Sequence, residues 1–312
     1  MEIRYVYAGW LIDGMGGIEK NVLLTIEEGR WAAIEKRSTV DIPADGNVTD
    51  ISHCTVVPPL IDCCVQTALS GTTDPKEREQ QRTAGYTAIK ILIKRHIADF
   101  FNHGVFAVRD CSDQQAMLER FALEQGDEER NPPVHVITEA ESILSGKQWQ
   151  VGKQTPDSVE GQPAFWTPLL LALTTLEKKQ RYCQNESNLY HLDDCSFAQQ
   201  LKQVRLAKNN GIKIALGTNS GMNGILHGES MVSELKLLIK AGYSLPEAIQ
   251  CATQHNAELL GIANTLGGIA VGKPAHFLVT RGTPAQLPRK LSYLEAIYIN
   301  GQPCKPEYFY KI

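Results

Sequence analysis

Apolar and polar positions alternate with a period of two near both ends of the chain. Tyr5-Val-Tyr7, Val22-Leu-Leu-Thr-Ile26 and Trp31-Ala-Ala-Ile34 are separated by glycines at Gly14, Gly16, Gly17 and Gly29. Alternation bounded by glycine predicts short antiparallel strands. The C-terminal part repeats the pattern in His276-Phe-Leu-Val279 and Glu295-Ala-Ile-Tyr-Ile299, bounded by Gly272-Lys-Pro274 and Asn300-Gly301.

Between these ends the rhythm changes to short apolar runs followed by longer helical segments, as in a parallel sheet with crossover helices. Strands are predicted at Val56-Val57 through Ile61, Val105-Phe-Ala-Val108, Val134-His-Val-Ile137, Phe165 through Leu171 and Ile212-Lys-Ile-Ala-Leu216. Helices are predicted over 75–102, 113–125, 173–183, 195–210, 230–241 and 245–260, with Gly211 and Gly242 as stops and Pro246 as a start. The stretch 139–163, with Gly146, Gly152, Pro156, Gly161 and Pro163, reads as loop. Gly14-Met-Gly-Gly17 follows a strand but opens no helix, so it predicts a turn and not a phosphate loop.

Composition adds little to this picture but excludes several classes. Of 312 residues, 43% are hydrophobic and 21% charged, as in a folded globular protein. The net charge of -4 is dispersed, and Lys90, Lys94, Arg95 and His96 fall on a predicted helix face, so no nucleic-acid partner is expected. No apolar run reaches the roughly 20 residues that span a bilayer, and Met1-Glu-Ile-Arg-Tyr-Val lacks the regions of a secretory signal. No membrane association and a cytoplasmic location are the expectation. Eight cysteines without a C-x-x-C pair predict reduced thiols.

Three segments resemble the amidohydrolase superfamily, in particular its imidazolonepropionase-like and prolidase-like branch. The first is Leu11-Ile-Asp-Gly14 with Val56-Val-Pro-Pro-Leu-Ile-Asp62. The second is Ala215-Leu-Gly-Thr-Asn-Ser-Gly221 with His227-Gly-Glu229. The third runs from Glu234 through Pro246-Glu-Ala248 and Leu259-Leu-Gly261 to Gly272-Lys-Pro-Ala275. The resemblance implies an α/β fold: a TIM-like (β/α) barrel over 57–268, beside a small β-sandwich composed of 1–56 plus 269–312. Residues 57–268 are few for eight βα units, near the floor of about 200 residues for such barrels, so an incomplete barrel is one expectation.

In this family a divalent metal polarises the scissile carbonyl and lowers the pKa of bound water. The resemblance implies two histidines in His-x-His after barrel strand one and an aspartate on the last strand. Cys64 and Gln66 stand at the histidine positions, and Asn219 stands at the position of the catalytic aspartate. A neutral amide is a poor ligand and cannot act as a general base. The sequence therefore predicts a divergent, shortened member whose hydrolysis of carbon-nitrogen bonds, in a cyclic amide or peptide-like substrate, is lost or much reduced.

Alternatives remain open at this point. Zinc or another divalent metal is expected if the protein is active, with Cys63, Cys64, Cys111, His135 and His227 as further donors; otherwise no cofactor is expected. A Cys64 nucleophile with His227 as base is a second route. Arg109, His227 and Glu229 are candidates for contacts to a small polar molecule, against a bland role as rim ion pairs. A non-enzymatic binding or assembly subunit, including a homo-oligomer, is the third reading.

Overall fold

The computed structural model describes residues 3–42, 46–112, 115–125, 134–138, 149–151, 165–182 and 196–304. The fold is mixed α/β. Strands β1 (Ile3–Ile12), β2 (Ile18–Glu27), β3 (Arg30–Lys36) and β4 (Asn47–Val57) come from the N-terminal part. With β11 (Phe277–Arg281), β12 (Ala296–Ile299) and β13 (Gln302–Pro303) they form one seven-stranded sheet in the order β13-β12-β11-β4-β1-β2-β3. Both ends of the chain thus build one sheet. β1 runs parallel to β4, and their register shifts between Ala8 and Trp10. Gly9 makes that irregularity possible, because a Cβ there would stand 2.1 Å from the Ser52 carbonyl oxygen. One face of the sheet buries Val6, Leu24, Trp31, Val56 and Phe277, with Phe277 stacked on Tyr298 at 4.2 Å between ring centroids.

The predicted strand from Val56 to Ile61 is two strands. Pro58 and Pro59 cannot donate to a ladder, so β4 ends at Val57 and β5 (Leu60–Val65) begins in a different sheet. Strands β6 (Val105–Asp110) and β7 (His135–Ile137) pair in parallel with β5 in the order β5-β6-β7. A second parallel group has the order β10-β9-β8, from β8 (Trp149–Val151), β9 (Phe165–Thr167) and β10 (Lys213–Ile214). β8 falls inside the stretch expected to be loop; most of 139–163 lies outside the described residues.

The two groups are joined by the backbone beyond β10. Cys63 donates to the Leu216 carbonyl (2.9 Å), Asn219 donates to that of Cys64 (2.8 Å), and Gln66 donates to that of Ser220 (2.7 Å). The result is one arc, β7-β6-β5-(213–220)-β9-β8. All positions of β5 and β6 are buried, as expected for central parallel strands covered on both faces. Among the described residues no pairing joins β7 to β8, so the arc is not a closed barrel.

Eight helices are described: α1 (Pro75–Thr83), α2 (Tyr86–Asn102), α3 (Gln115–Gln125), α4 (Leu170–Tyr182), α5 (Phe197–Asn209), α6 (Ser230–Lys240), α7 (Leu245–Cys251) and α8 (Gln254–Leu259). Local sequence starts several of them. Asp74 caps α1 by accepting from the Lys76 amide, and Ser196 with Gln199 and Ser244 with Glu247 form capping boxes on α5 and α7. The expected helix 75–102 is split by Ala84 and Gly85, both extended; 245–260 is split at Thr253, whose φ of -132° is not helical. α2 turns Ile89, Ile93, Ile97, Phe100 and Phe101 inward at helical spacing onto β5 and β6. No helix among the described residues is long and apolar enough to cross a membrane.

Candidate functional site

The C-terminal edge of β5 sets the site. Side chains of a strand alternate, so Asp62, Cys64 and Gln66 share a side and Cys63 and Val65 take the other, where both join the hydrophobic core. Asp62 is fully buried and ties β5 to the last strand. Its carboxylate accepts from the Thr218 amide (2.9 Å), the Thr218 hydroxyl (2.5 Å) and the Cys64 amide (3.3 Å). Burial pushes its pKa up to about 7 against these hydrogen bonds. The last strand approaches so closely that a Cβ at Gly217 would lie 2.6 Å from Thr167 Cγ2 and 2.9 Å from Cys64 Cβ. Two residues on, Asn219 adopts φ 57°, a left-handed conformation that asparagine tolerates well.

This turn brings the positions expected to hold metal together. Gln66 Nε2 donates to Asn219 Oδ1 at 2.8 Å, and Asn219 Nδ2 donates to Met222 Sδ at 3.5 Å. A single hydrogen bond joins the two amides, and neither side chain offers an anionic or imidazole donor. Beside them, the Cys111 thiol donates to Cys64 Sγ at 2.8 Å, and Arg109 Nη1 donates to Cys111 Sγ at 2.9 Å. The Cys111 hydrogen bond, together with burial, raises the Cys64 thiol well above its ordinary pKa. Zinc sites of this kind use at least three Cys, His, Asp or Glu ligands. Among the described residues no three such side chains gather. The donor set of Cys64, Gln66 and Asn219 does not fit a hydrolytic divalent metal, and no catalytic step is derived through one.

His227 lies behind this mouth. Its Nε2 is 3.2 Å from the Gln66 carbonyl oxygen, and its ring stacks on His96 with centroids 3.8 Å apart. His96 Nδ1 is 2.7 Å from the Thr67 carbonyl oxygen. Carbonyls only accept, so both nitrogens carry hydrogen, and the pair clamps the chain leaving β5. Burial lowers the pKa of both, that of His96 to about 4, and His227 is lowered further by the neighbouring His96. Glu229 is exposed at the start of α6. Asp110, at the end of β6, accepts from the Thr67 amide and hydroxyl (both 2.6 Å) and from the Ser112 amide (2.7 Å). Of the predicted residues, Cys64, Gln66 and Asn219 therefore meet at one mouth with Arg109 reaching it through Cys111. His227 touches that mouth through backbone, and His135 sits apart on β7.

Several residues were not singled out from sequence. Asp62 was visible as the aspartate before Cys63-Cys64, yet its bonds to Thr218 span 156 positions. Glu234 on α6 is buried and accepts from the Leu170 (2.8 Å) and Leu171 (2.7 Å) amides, capping α4 from another helix. Its pKa is raised to about 8 by burial.

With that geometry in place, the comparisons are specific. Residues 168–306 match the model described as amidohydrolase family. Nearly all of the chain is also similar in fold to solved structures of hydrolases. A Xaa-Pro dipeptidase with bound methionine matches with a TM-score of 0.69 at 17% identity, covering 97% of this chain and 100% of the other. The A. niger ochratoxinase matches with a TM-score of 0.68 at 14% identity over 97% and 96% of the two chains. Molinate hydrolase matches with a TM-score of 0.66 at 14% identity over 97% and 95%. No curated protein sequence matches the chain. The resemblance to the amidohydrolase family read from the sequence is thus matched over residues 168–306, and the likeness in fold to these solved structures extends over 97% of the chain.

Proposed function

We propose that this amidohydrolase-related protein binds a small polar molecule at the mouth formed by Cys64, Gln66, Arg109 and Asn219, with metal-dependent hydrolysis of carbon-nitrogen bonds lost or much reduced. The hydrogen bond between Gln66 Nε2 and Asn219 Oδ1 carries this reading. Two hydrogen-bonded amides occupy the place where the related hydrolases are expected to hold metal-ligating histidine and aspartate. An amide pair can still exchange its partners for the hydroxyl, amide or carboxylate of a ligand, while Arg109 supplies positive charge nearby. The architecture we infer is an incomplete (β/α) barrel over 57–268 beside a β-sandwich from 1–56 plus 269–312. The open arc β7-β6-β5-(213–220)-β9-β8 and the composite seven-stranded sheet support that division.

The test is metal content by mass spectrometry on protein purified without chelators, together with hydrolysis of dipeptides, N-acyl amino acids and cyclic amides. Substoichiometric metal and no turnover on zinc or manganese addition are expected. Near-stoichiometric metal with chelator-sensitive turnover would establish an active hydrolase with an atypical site and overturn the proposal. Chelator-insensitive turnover abolished by Cys64→Ala would do the same in favour of a thiol enzyme.

A further inference from the structure

Beside the amide pair the thiols of Cys64 and Cys111 are in contact, and the binding reading makes no use of their redox chemistry. Cys111 follows β6, Cys64 ends β5, and their sulfurs are 2.8 Å apart. The Cys111 amide donates to the Val65 carbonyl (2.8 Å), so the two cysteines sit on directly adjacent strands. Val65 pairs with Asp110, so Cys111 lies diagonally across from Cys64, and it is the two side chains that close the gap, to 2.8 Å between sulfurs. The neighbouring thiol of Cys63 is on the opposite face, buried in the hydrophobic core, and does not compete. Accessibility is asymmetric: Cys111 is partly exposed, whereas Cys64 is 2% exposed. Arg109 Nη1 donates to Cys111 Sγ at 2.9 Å.

The spacing also separates a disulfide from a shared metal. Two thiolates on one tetrahedral zinc, each at about 2.3 Å, hold their sulfurs roughly 3.8 Å apart, and a third and fourth ligand are needed. Here the sulfurs are already closer than that, and among the described residues no third ligand joins them.

We propose that Cys111 and Cys64 are a redox modification site: they form a reversible disulfide by exchange with a low-molecular-weight disulfide such as glutathione disulfide. Cys111 attacks one sulfur of the small disulfide, forming a mixed disulfide and expelling one thiolate. Cys64 then attacks the Cys111 sulfur, forming the internal bond and expelling the second. The protein loses two electrons and two protons, and the small disulfide is reduced to two thiols, so the exchange balances. The crosslink fastens β5 to the segment after β6 one residue from Val65 and two from Gln66. The Cys64 carbonyl, which accepts from the Asn219 amide, carries any displacement to the mouth. The site stands on its own geometry and does not depend on what the mouth binds.

The full-length protein is incubated with glutathione disulfide, denatured, alkylated and digested without reductant. Expected are an intact mass lower by two hydrogens, a peptide pair crosslinked through Cys64 and Cys111, and reversal of both by dithiothreitol. Cys64→Ser is expected to trap glutathione on Cys111, and Cys111→Ser to abolish both products. Wild-type protein that keeps Cys64 alkylatable while Cys111 carries glutathione, or that links Cys63 instead, overturns the proposal. Because the wild-type digest alone decides, a poorly folding variant leaves the conclusion intact.

Discussion

Gln66 and Asn219 are far apart in sequence but only 2.8 Å apart at their amide groups, so they occupy one coordination space. Replacing the donors rather than the scaffold should therefore recreate a metal site. Gln66→His with Asn219→Asp leaves Cys64 in place and supplies three ligands of the types that bind zinc, with water free to take the fourth position. The double variant is expected to retain about one zinc per chain after dialysis, where the parent retains far less. Equal, low zinc in both would mean that the three positions do not converge as the contact implies. His227 makes a different prediction. Its imidazole donates to the Gln66 carbonyl and stacks on His96 in a buried setting. His227→Ala leaves that carbonyl unpaired and opens a cavity, so urea denaturation should show a loss of about 2–4 kcal/mol. A loss under about 0.5 kcal/mol would fit a solvated rim residue. At this scale the sequence was readable where the resemblance named a position, as at Cys64, Gln66 and Asn219. Asp62, Asp110 and Glu234 were silent because their roles lie in long-range hydrogen bonds, and a lone acidic residue in an apolar run does not announce its partner.

The elements were legible wherever a local signal punctuates the chain. Helical spacing located the helices, with Gly211 and Gly242 as stops and Pro246 as a start, whereas the breaks at Ala84-Gly85 and Thr253 interrupt segments that read as continuous. Two-strand segmentation at Pro58-Pro59 was missed because the apolar run Val56–Ile61 has one continuous hydropathy pattern, although the prolines forbid a continuous ladder. β8 was missed because three residues, Trp149–Val151, are too few to show a period; its pairing with β9 is what makes it a strand. Contact between elements also fixes residues that pattern leaves neutral. Gly217 lies between β9 and β5, and its negative-φ backbone would accept alanine. A Cβ there, however, meets Thr167 Cγ2 at 2.6 Å, Cys64 Cβ at 2.9 Å and the Cys64 amide nitrogen at 3.0 Å. Two of these belong to buried backbone or its first side-chain atom and cannot swing away. Gly217→Ala is therefore expected to separate the last strand from β5 and to destabilise the protein by about 2–3 kcal/mol, seen as a lower urea midpoint. Gly211→Ala is the control for backbone effects alone, because its φ is 74° but nothing lies within 4 Å of the added atom. If the two variants lost equal stability, steric closure at β5 would not be the reason for the glycine.

Over the whole molecule, buried titratable groups of opposite sense set the pH of greatest stability. His96 and His276 are lowered from 6.5 to about 4, and His227 and His255 are also lowered, in each case first by burial. Below pH 6.5 the unfolded chain takes up protons at these rings that the folded protein refuses, so stability falls as the solution becomes more acidic. Asp62 and Glu234 work in the other direction. Burial raises them from 3.8 to about 7 and from 4.5 to about 8, so the folded protein holds protons that the unfolded chain has already released. Their contribution is greatest below the unfolded values and is lost as pH rises through 7 and 8. Between about pH 4.5 and 6.5 the histidines, His96 and His276 foremost, oppose the raised carboxyls. Above 6.5 the histidine contribution fades as the unfolded rings lose their protons, and the carboxyls come to dominate, each with a slope of up to about 1.4 kcal/mol per pH unit. Stability from urea titrations should consequently peak near pH 6.5 and decline toward pH 8. Asp62→Asn tests the assignment, since its amide oxygen can accept from the Thr218 and Cys64 amides and its nitrogen can donate to the Thr218 hydroxyl without a titrating proton. The decline between pH 6.5 and 8 should become shallower in that variant while the acid limb is unchanged. Stability that stays level or rises from pH 6.5 to 8 in the parent would mean that Asp62 and Glu234 are ionised in the fold, and that their hydrogen bonds outweigh burial.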